Sequence, residues 1–370
     1  MDFSFSEEQE TVGKVARQLF EARATPEHLT ELEAGETRHD PALWRELATS
    51  DLLGIALPEK VGGSGGSFLE LGVLLAEVGW AVAPVPVYAT LLLGADTVAR
   101  HGSSVVQGEY LPGVVDGSRI LTGALWESGR CDPTTPETTA RRDGDGWRLE
   151  GTKALVPAAQ LADAIVVAAS TEDRPGLFLL DTNAEGVEVV PVGTTNGEPF
   201  ADINLSSARV PETHRLAEGA DPLGSLYTRA LVGLCAMQVG VAERALRIAA
   251  SYTSEREQFG RPIGSFQAVQ QRMADAFIDV EAIRWTTWHA AWLVAEGRPA
   301  RRDAAIAKFW AAEAGARVTA TAQQVHGGMG IDVTYPLSRY FLWAKQIELT
   351  LGSASQQLAR LGSAYPEGNQ

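Results

Sequence analysis

The chain has 370 residues, 45% of them hydrophobic, so it can bury a large core but is too long for one simple domain. A net charge of −16 and a pI near 4.9 argue against nucleic acid as a partner, because phosphate-backbone binding needs a basic footprint. They leave room for a small anionic ligand held by local arginines.

In chain order, the start "MDFSFSEEQE" is acidic and lacks a basic flank and an apolar segment, so no signal peptide is expected. "SEEQ" at Ser6–Gln9 fits a capping box, and Val12, Val15, Leu19 and Phe20 then recur at helical spacing. Leu43 and Leu47, with Leu52 and Leu53 beyond them, continue the apolar pattern. "PEKVGGSGG" at Pro58–Gly66 reads as a loop, and "SFLE" at Ser67–Glu70 as a second capping box. "YATLLLGADTVA" is too short and interrupted to cross a membrane.

Near Pro112 the character changes. "TTARRDGDGWRLEG" predicts a hairpin turning at Asp143–Gly146. "DAIVVAAS", "GLFLLDT" and "GVEVVPV" are further short strands between polar turns. Helical periodicity returns near Leu223 and lasts to about Leu361. There, Val269, Met273, Phe277 and Val280 fit a bundle core, and so do Trp285, Trp288 and Trp292. Cys131 and Cys235 lie far apart without metal-ligand spacing, which points to a reduced, cytoplasmic setting and no metal. The expected plan is an α+β multidomain chain. It has an N-terminal α-helical domain (1–116), a middle β-barrel or sandwich domain (117–220) and a C-terminal helical bundle (221–370).

One connection stands out. "SYTSEREQFGRPIGSFQAVQ", Ser251–Gln270, lies between two helical stretches, where Gly, Pro, Ser and charge would suffice. It carries Arg256, Gln258, Phe259, Phe266 and Gln267 instead. Together with "QRMAD" it resembles the R-x-Q-F-G-x-P-I-x-x-F-Q-x-x-Q element of the acyl-CoA dehydrogenase family. "DFSFSEEQ", "LPEKVGGSGGSFLELGVLLAEVG" and "QVHGGMG" at Gln324–Gly330 resemble other elements of that family, in family order.

The resemblance implies a helical domain, a β domain and a four-helix bundle, with FAD at a subunit interface. It implies that Arg256 pairs with the FAD pyrophosphate of a neighbouring subunit, a task suited to a planar fork of donors. Gln258 and Phe259 would cover the adenosine half, with Phe266 and Gln267 alongside. Gln324, Gly327, Gly328 and Ser353 would also meet the cofactor, and Arg229 the CoA portion of the substrate. His326 reads as structural. The implied reaction is α,β-dehydrogenation of an acyl-CoA. A glutamate takes the α-proton, hydride goes to the flavin, and electrons pass to an electron-transfer flavoprotein.

The departures carry equal weight. In "ELTLGSASQ" the place of the family's base holds Leu351, and its two alternative places hold Thr228 and Met237. None is a carboxylate. The stretch that meets the flavin face appears as "ALWESGRCD", with Trp126 and Ser128 in place of threonine and proline, and Leu155–Pro157 replaces Trp-Ile-Thr. The expectation is therefore the subunit of an α₂β₂ enzyme that completes the FAD clamp while a second, dehydrogenase-like subunit brings the base. The alternatives are a self-sufficient homo-oligomer using Glu348 or Glu127, a flavin oxidase or monooxygenase, and a flavin-free scaffold.

Overall fold

Local chemistry starts the helices at the expected places in the computed structural model, which describes residues 4–35, 38–130, 132–217 and 219–363. Cys131 and the first two residues of "DFSFSEEQ" lie outside that set. The Ser6 amide donates to Gln9 Oε1 (3.0 Å) and the Gln9 amide to Ser6 Oγ (3.2 Å), opening α1 (Glu7–Arg23). α2 spans Pro26–Glu33. Asp40 caps α3 (Pro41–Thr49) by accepting from the amides of Ala42 and Leu43. At the head of α4 (Phe68–Ala81) the Ser67 amide donates to Glu70 Oε2 and Ser67 Oγ accepts from the Leu69 amide. A fully buried π-helix, Tyr88–Asp96, precedes α5 (Thr97–His101) and α6 (Ser104–Val115).

Residues 1–12, 31–71 and 84–230 form one compact unit, and 13–30, 72–83 and 231–370 form the other. The first unit contains both four-stranded sheets. One sheet has the order β1 (Leu121–Ala124), β4 (Ala164–Ala169), β5 (Gly176–Asp181), β8 (Arg215–Leu216). The other has the order β2 (Thr139–Asp143), β3 (Gly146–Pro157), β7 (Phe200–Pro211), β6 (Val187–Val192). All pairings are antiparallel except β1 with β4, and β2–β3 is the expected hairpin, with Asp143 opposite Gly146. The inner faces share one apolar core, in which Trp147 meets Phe178 edge-on. This is a sandwich, the second of the two expected forms. Gly94 of the π-helix lets β1 come close, since a Cβ there would sit 2.3 Å from that of Leu121.

The second unit holds most of α7 (Pro222–Glu255), with α8 (Gln267–Ala295), α9 (Arg301–His326), α10 (Leu337–Leu349) and α11 (Ala354–Ser363). α7 is long and apolar enough to cross a membrane by length and composition, but its apolar residues are mostly buried in the fold. α9 packs through alanines, including Ala304, Ala307, Ala311, Ala314 and Ala322. α4 and α7 cross in backbone contact. A Cβ on Gly240 would lie 1.9 Å from the Ala76 carbonyl oxygen, and one on Gly79 2.0 Å from that of Met237.

Helix α8 corrects two expectations. Its buried line runs through Ala276, Val280, Ile283, Thr287, Ala290 and Val294. Phe277, expected in the core, is 57% exposed, and Trp285 and Trp292 are 52% and 40% exposed. Only Trp288 of the tryptophan stripe turns inward, against Gly72. The helix carries two apolar stripes. The line of small and aliphatic residues fits the close packing against α9 and takes the inner position, leaving the rings outside.

Candidate functional site

The connection after α7 is built to project side chains. α7 ends at Glu255, and a short antiparallel pairing sets Arg261 opposite Gln258. Phe259 sits between them at φ +55° and is 93% exposed. Its ring meets that of Phe266 at 6.1 Å, edge-on, and the Arg261 guanidinium lies 4.2 Å from the Phe266 ring centre. The Arg256 side chain is exposed and pairs with no group among the described residues. Gln258 and Gln267 are exposed beside it.

The end of α9 is brought to the same place. Tyr252, one turn before Arg256, stacks on His326 with ring centres 4.2 Å apart. Gly327 and Gly328 follow at once, and a Cβ on either would meet nothing within 4 Å, so their backbone is open to an approaching group. Gln324 is exposed and borders a groove of about 570 Å³ along α8 and α9, which Arg272 and Arg317 also line. Eight of the residues expected at the cofactor therefore form one outward-facing cluster: Arg256, Gln258, Phe259, Phe266, Gln267, Gln324, Gly327 and Gly328. An unpaired guanidinium, an open glycine backbone and the exposed Phe259 ring are groups that fit the pyrophosphate and adenine of a dinucleotide.

His326 is held inside this cluster and does not face outward. Its Nδ1 lies 2.7 Å from the Ala322 carbonyl, which can only accept, so Nδ1 carries the proton and Nε2 accepts from the Tyr335 hydroxyl at 3.2 Å. Burial holds its pKa below the ordinary 6.5, against a smaller upward pull from the Ala322 hydrogen bond. The neutral ring is thus the folded form. The stability it contributes is complete above the ordinary value and drains as pH falls through the folded one. The melting temperature should fall between about pH 7 and 5, and His326→Gln should flatten that part of the profile, as scanning calorimetry would show.

The three places for a base hold no carboxylate. Met237 and Leu351 are buried, and the Thr228 hydroxyl donates back to the Gly224 carbonyl (2.8 Å). Leu351 adopts φ +56° in the turn between α10 and α11. Ser353, expected at the cofactor, sits at the start of α11, where the Gln356 side chain accepts from its amide at 2.8 Å. Glu348 pairs with Lys345.

Glu127, weighed as a substitute base, is fully occupied. One carboxylate oxygen accepts from Lys153 Nζ (2.7 Å), Thr138 Oγ1 (2.6 Å) and the Thr138 amide (2.9 Å), and the other from the Glu137 amide (2.6 Å). Burial pushes its pKa up, but Lys153 and the hydrogen bonds outweigh that and leave it below the ordinary value. Buried, paired with Lys153 and held ionised by four donors, this carboxylate is engaged within the fold, unlike a base aimed at a substrate. The same contacts tie the Trp126–Glu127 loop to β3, where the Ala154 amide donates to the Trp126 carbonyl. A bulge there puts exposed Leu155 at φ +50°.

Arg229, expected at the CoA portion, is likewise spent elsewhere. It is buried, its Nε and Nη2 reach Asp96 at 2.5 and 2.8 Å, and its guanidinium lies over the Phe68 ring. Burial pushes the Asp96 pKa up, but Arg229 and Arg100 together leave it lowered. Asp96 lies more than a hundred residues from Arg229, and nothing in the local sequence marked it as a partner.

Comparison with known proteins places these features in a family. Family models match residues 6–118 (acyl-CoA dehydrogenase, N-terminal domain), 127–207 (middle domain) and 227–365 (C-terminal domain). The chain is 41% identical to acyl-CoA dehydrogenase FadE27 of Mycobacterium tuberculosis, over 99% of both chains. Among solved structures, the ChsE4-ChsE5 complex of M. tuberculosis contains a chain with TM-score 0.94 and 42% identity, covering 99% of this chain and 100% of that one. A variant of the Tcur3481-Tcur3483 steroid ACAD gives TM-score 0.92 and 47% identity, covering 96% of this chain and 97% of that one.

Proposed function

Since the chain belongs to the acyl-CoA dehydrogenase family, whose members bind FAD, we propose that it is the base-free subunit of a heteromeric acyl-CoA dehydrogenase. It completes an FAD site, and an unlike, dehydrogenase-like subunit supplies the glutamate. The observation that carries this reading is the mismatch within one chain. The cofactor cluster is intact and open, while Leu351, Thr228 and Met237 leave no carboxylate to take a proton. The uncovered rings of α8 support a partner-bound state.

In this reading Arg256 pairs with the pyrophosphate and Phe259 covers the adenosine side. Gln258, Phe266 and Gln267 would frame it, Gln324, Gly327 and Gly328 would offer polar and backbone contact, and Ser353, on the α10–α11 turn, would meet it as the family resemblance implies. When bound, FAD supplies hydride acceptance at the β-carbon. This chain's own residues bind and orient. They move no proton. Family resemblance supports electron-transfer flavoprotein as the acceptor, and two distant cysteines without metal-ligand spacing support a reduced, cytoplasmic setting. The steroid ACAD relative supports a bulky, ring-bearing acyl-CoA as the substrate of the complex.

The test is expression alone and together with the product of an adjacent dehydrogenase-like gene. Alone, with FAD added, the chain should reduce no dye when given acyl-CoA. The pair should carry one FAD per two unlike chains and turn over. Robust turnover by the chain alone would sink the proposal.

A further inference from the structure

Lys308 lies in the N-terminal third of α9, an otherwise alanine-rich helix, with no exposure at all. Its Nζ donates to two backbone carbonyls of the α10–α11 turn, Glu348 O at 3.1 Å and Gly352 O at 3.0 Å. From the other side, Gln357 of α11, also fully buried, donates to Leu351 O (3.2 Å) and Gly352 O (3.3 Å). Gly352 has φ +108°, and a Cβ there would lie 2.8 Å from Gln357 Nε2, so the turn fits its two donors closely.

A buried ammonium is costly, and a leucine at φ +56° adds backbone strain. Leu351 cannot act as a base, so proton transfer does not account for keeping either. The ammonium does offset the negative end of α10 and the last carbonyls that the helix leaves unpaired. The titratable groups that act on it are Cys235 of α7 and Glu348 of α10. Burial lowers its pKa to about 8, so it is still mostly charged at neutral pH.

We propose that Lys308 is the positioning residue of this turn: its ammonium holds Leu351–Ser353 in the shape that presents Ser353 and the turn backbone to FAD. This rests on the reading that the chain completes an FAD site. The mount that carries a base in other family members is thus retained here for cofactor binding alone.

The experiment uses the assembled complex with its partner subunit. Lys308→Met is compared with wild type by amide hydrogen exchange over Thr350–Ser353 and by FAD titration of the stripped complex. The expected result is exchange faster by about tenfold or more in the turn, unchanged exchange in α8, and FAD binding weakened about tenfold. Lys308→Arg should restore part of both. Gln357→Leu removes the second donor to the same turn, on the α11 side. It should give the same pattern in milder form and add little to Lys308→Met, because the two share one turn. Unchanged exchange in Lys308→Met overturns the proposal. So does faster exchange with unaltered FAD affinity, which would make Lys308 a helix cap only. Arg256→Gln separates this from the parent reading: it should weaken FAD without touching turn exchange. If it leaves FAD affinity unchanged, the clamp reading falls and takes this proposal with it.

Discussion

Lys153→Met is expected to destabilise the β-bearing unit by about 3–5 kcal/mol, the usual cost of breaking a buried ion pair from one side. Lys153 is fully buried and Glu127 nearly so. Methionine fills much of the same space but leaves the Glu127 carboxylate with three protein donors where it had four, and with no counter-charge. The damage should be sharpest near neutral pH. Glu127 has a lowered pKa, so the stability it carries is present above its ordinary 4.5 and lost as pH falls through the folded value. In the variant, protonation of Glu127 should relieve the isolated charge. Thermal unfolding of wild type and variant should therefore differ most near pH 7 and converge in acid. A constant difference across that range would mean the loss comes from packing and not from charge.

Gly240→Val should be about as damaging, for a steric reason. The added Cβ would lie 1.9 Å from the Ala76 carbonyl oxygen and 2.5 Å from the Trp80 amide nitrogen. Both are backbone atoms, so no side chain can swing away, and the two helices must separate. Overpacking of this kind costs about 1–3 kcal/mol, and backbone contact with a β-branched residue places it at the upper end. Gly79→Ala attacks the same crossing, at 2.0 Å from the Met237 carbonyl. Once one substitution has parted the helices, the second meets less resistance. The double variant should therefore lose less than the sum of the singles in denaturant titration.

What was legible in the sequence was mostly local. The capping boxes at Ser6 and Ser67 depend on residues three apart, and the hairpin turn at Asp143 on four consecutive ones. The grouping of Arg256, Gln258, Phe259, Phe266 and Gln267 on one connection was legible for a similar reason, since the five lie within twelve positions; their role at a cofactor is our proposal. The misreading of α8 has a different cause. Helical period identifies stripes but not which of two apolar stripes turns inward, and Trp285 and Trp292 lie on the outer one. Long-range pairs gave no signal: Asp96 with Arg229, and Lys308 with Gly352. For Lys308 a hint existed in "AAIAKFWAAEAGA", where the lysine shares a face with Ala304, Ala311 and Gly315. A charge in that position needs a buried acceptor.

The ring-bearing face of α8 also has a consequence for how the protein survives in a cell. Phe277, Ile278, Trp285 and Trp292 recur along one helix and remain 57%, 64%, 52% and 40% exposed among the described residues. If the proposed assembly covers that face, a newly made copy outside it would display the kind of surface that chaperones hold, proteases clear and aggregates grow from. Its abundance would then follow the supply of whatever covers that face more closely than its own rate of synthesis, and an excess copy would have a short lifetime.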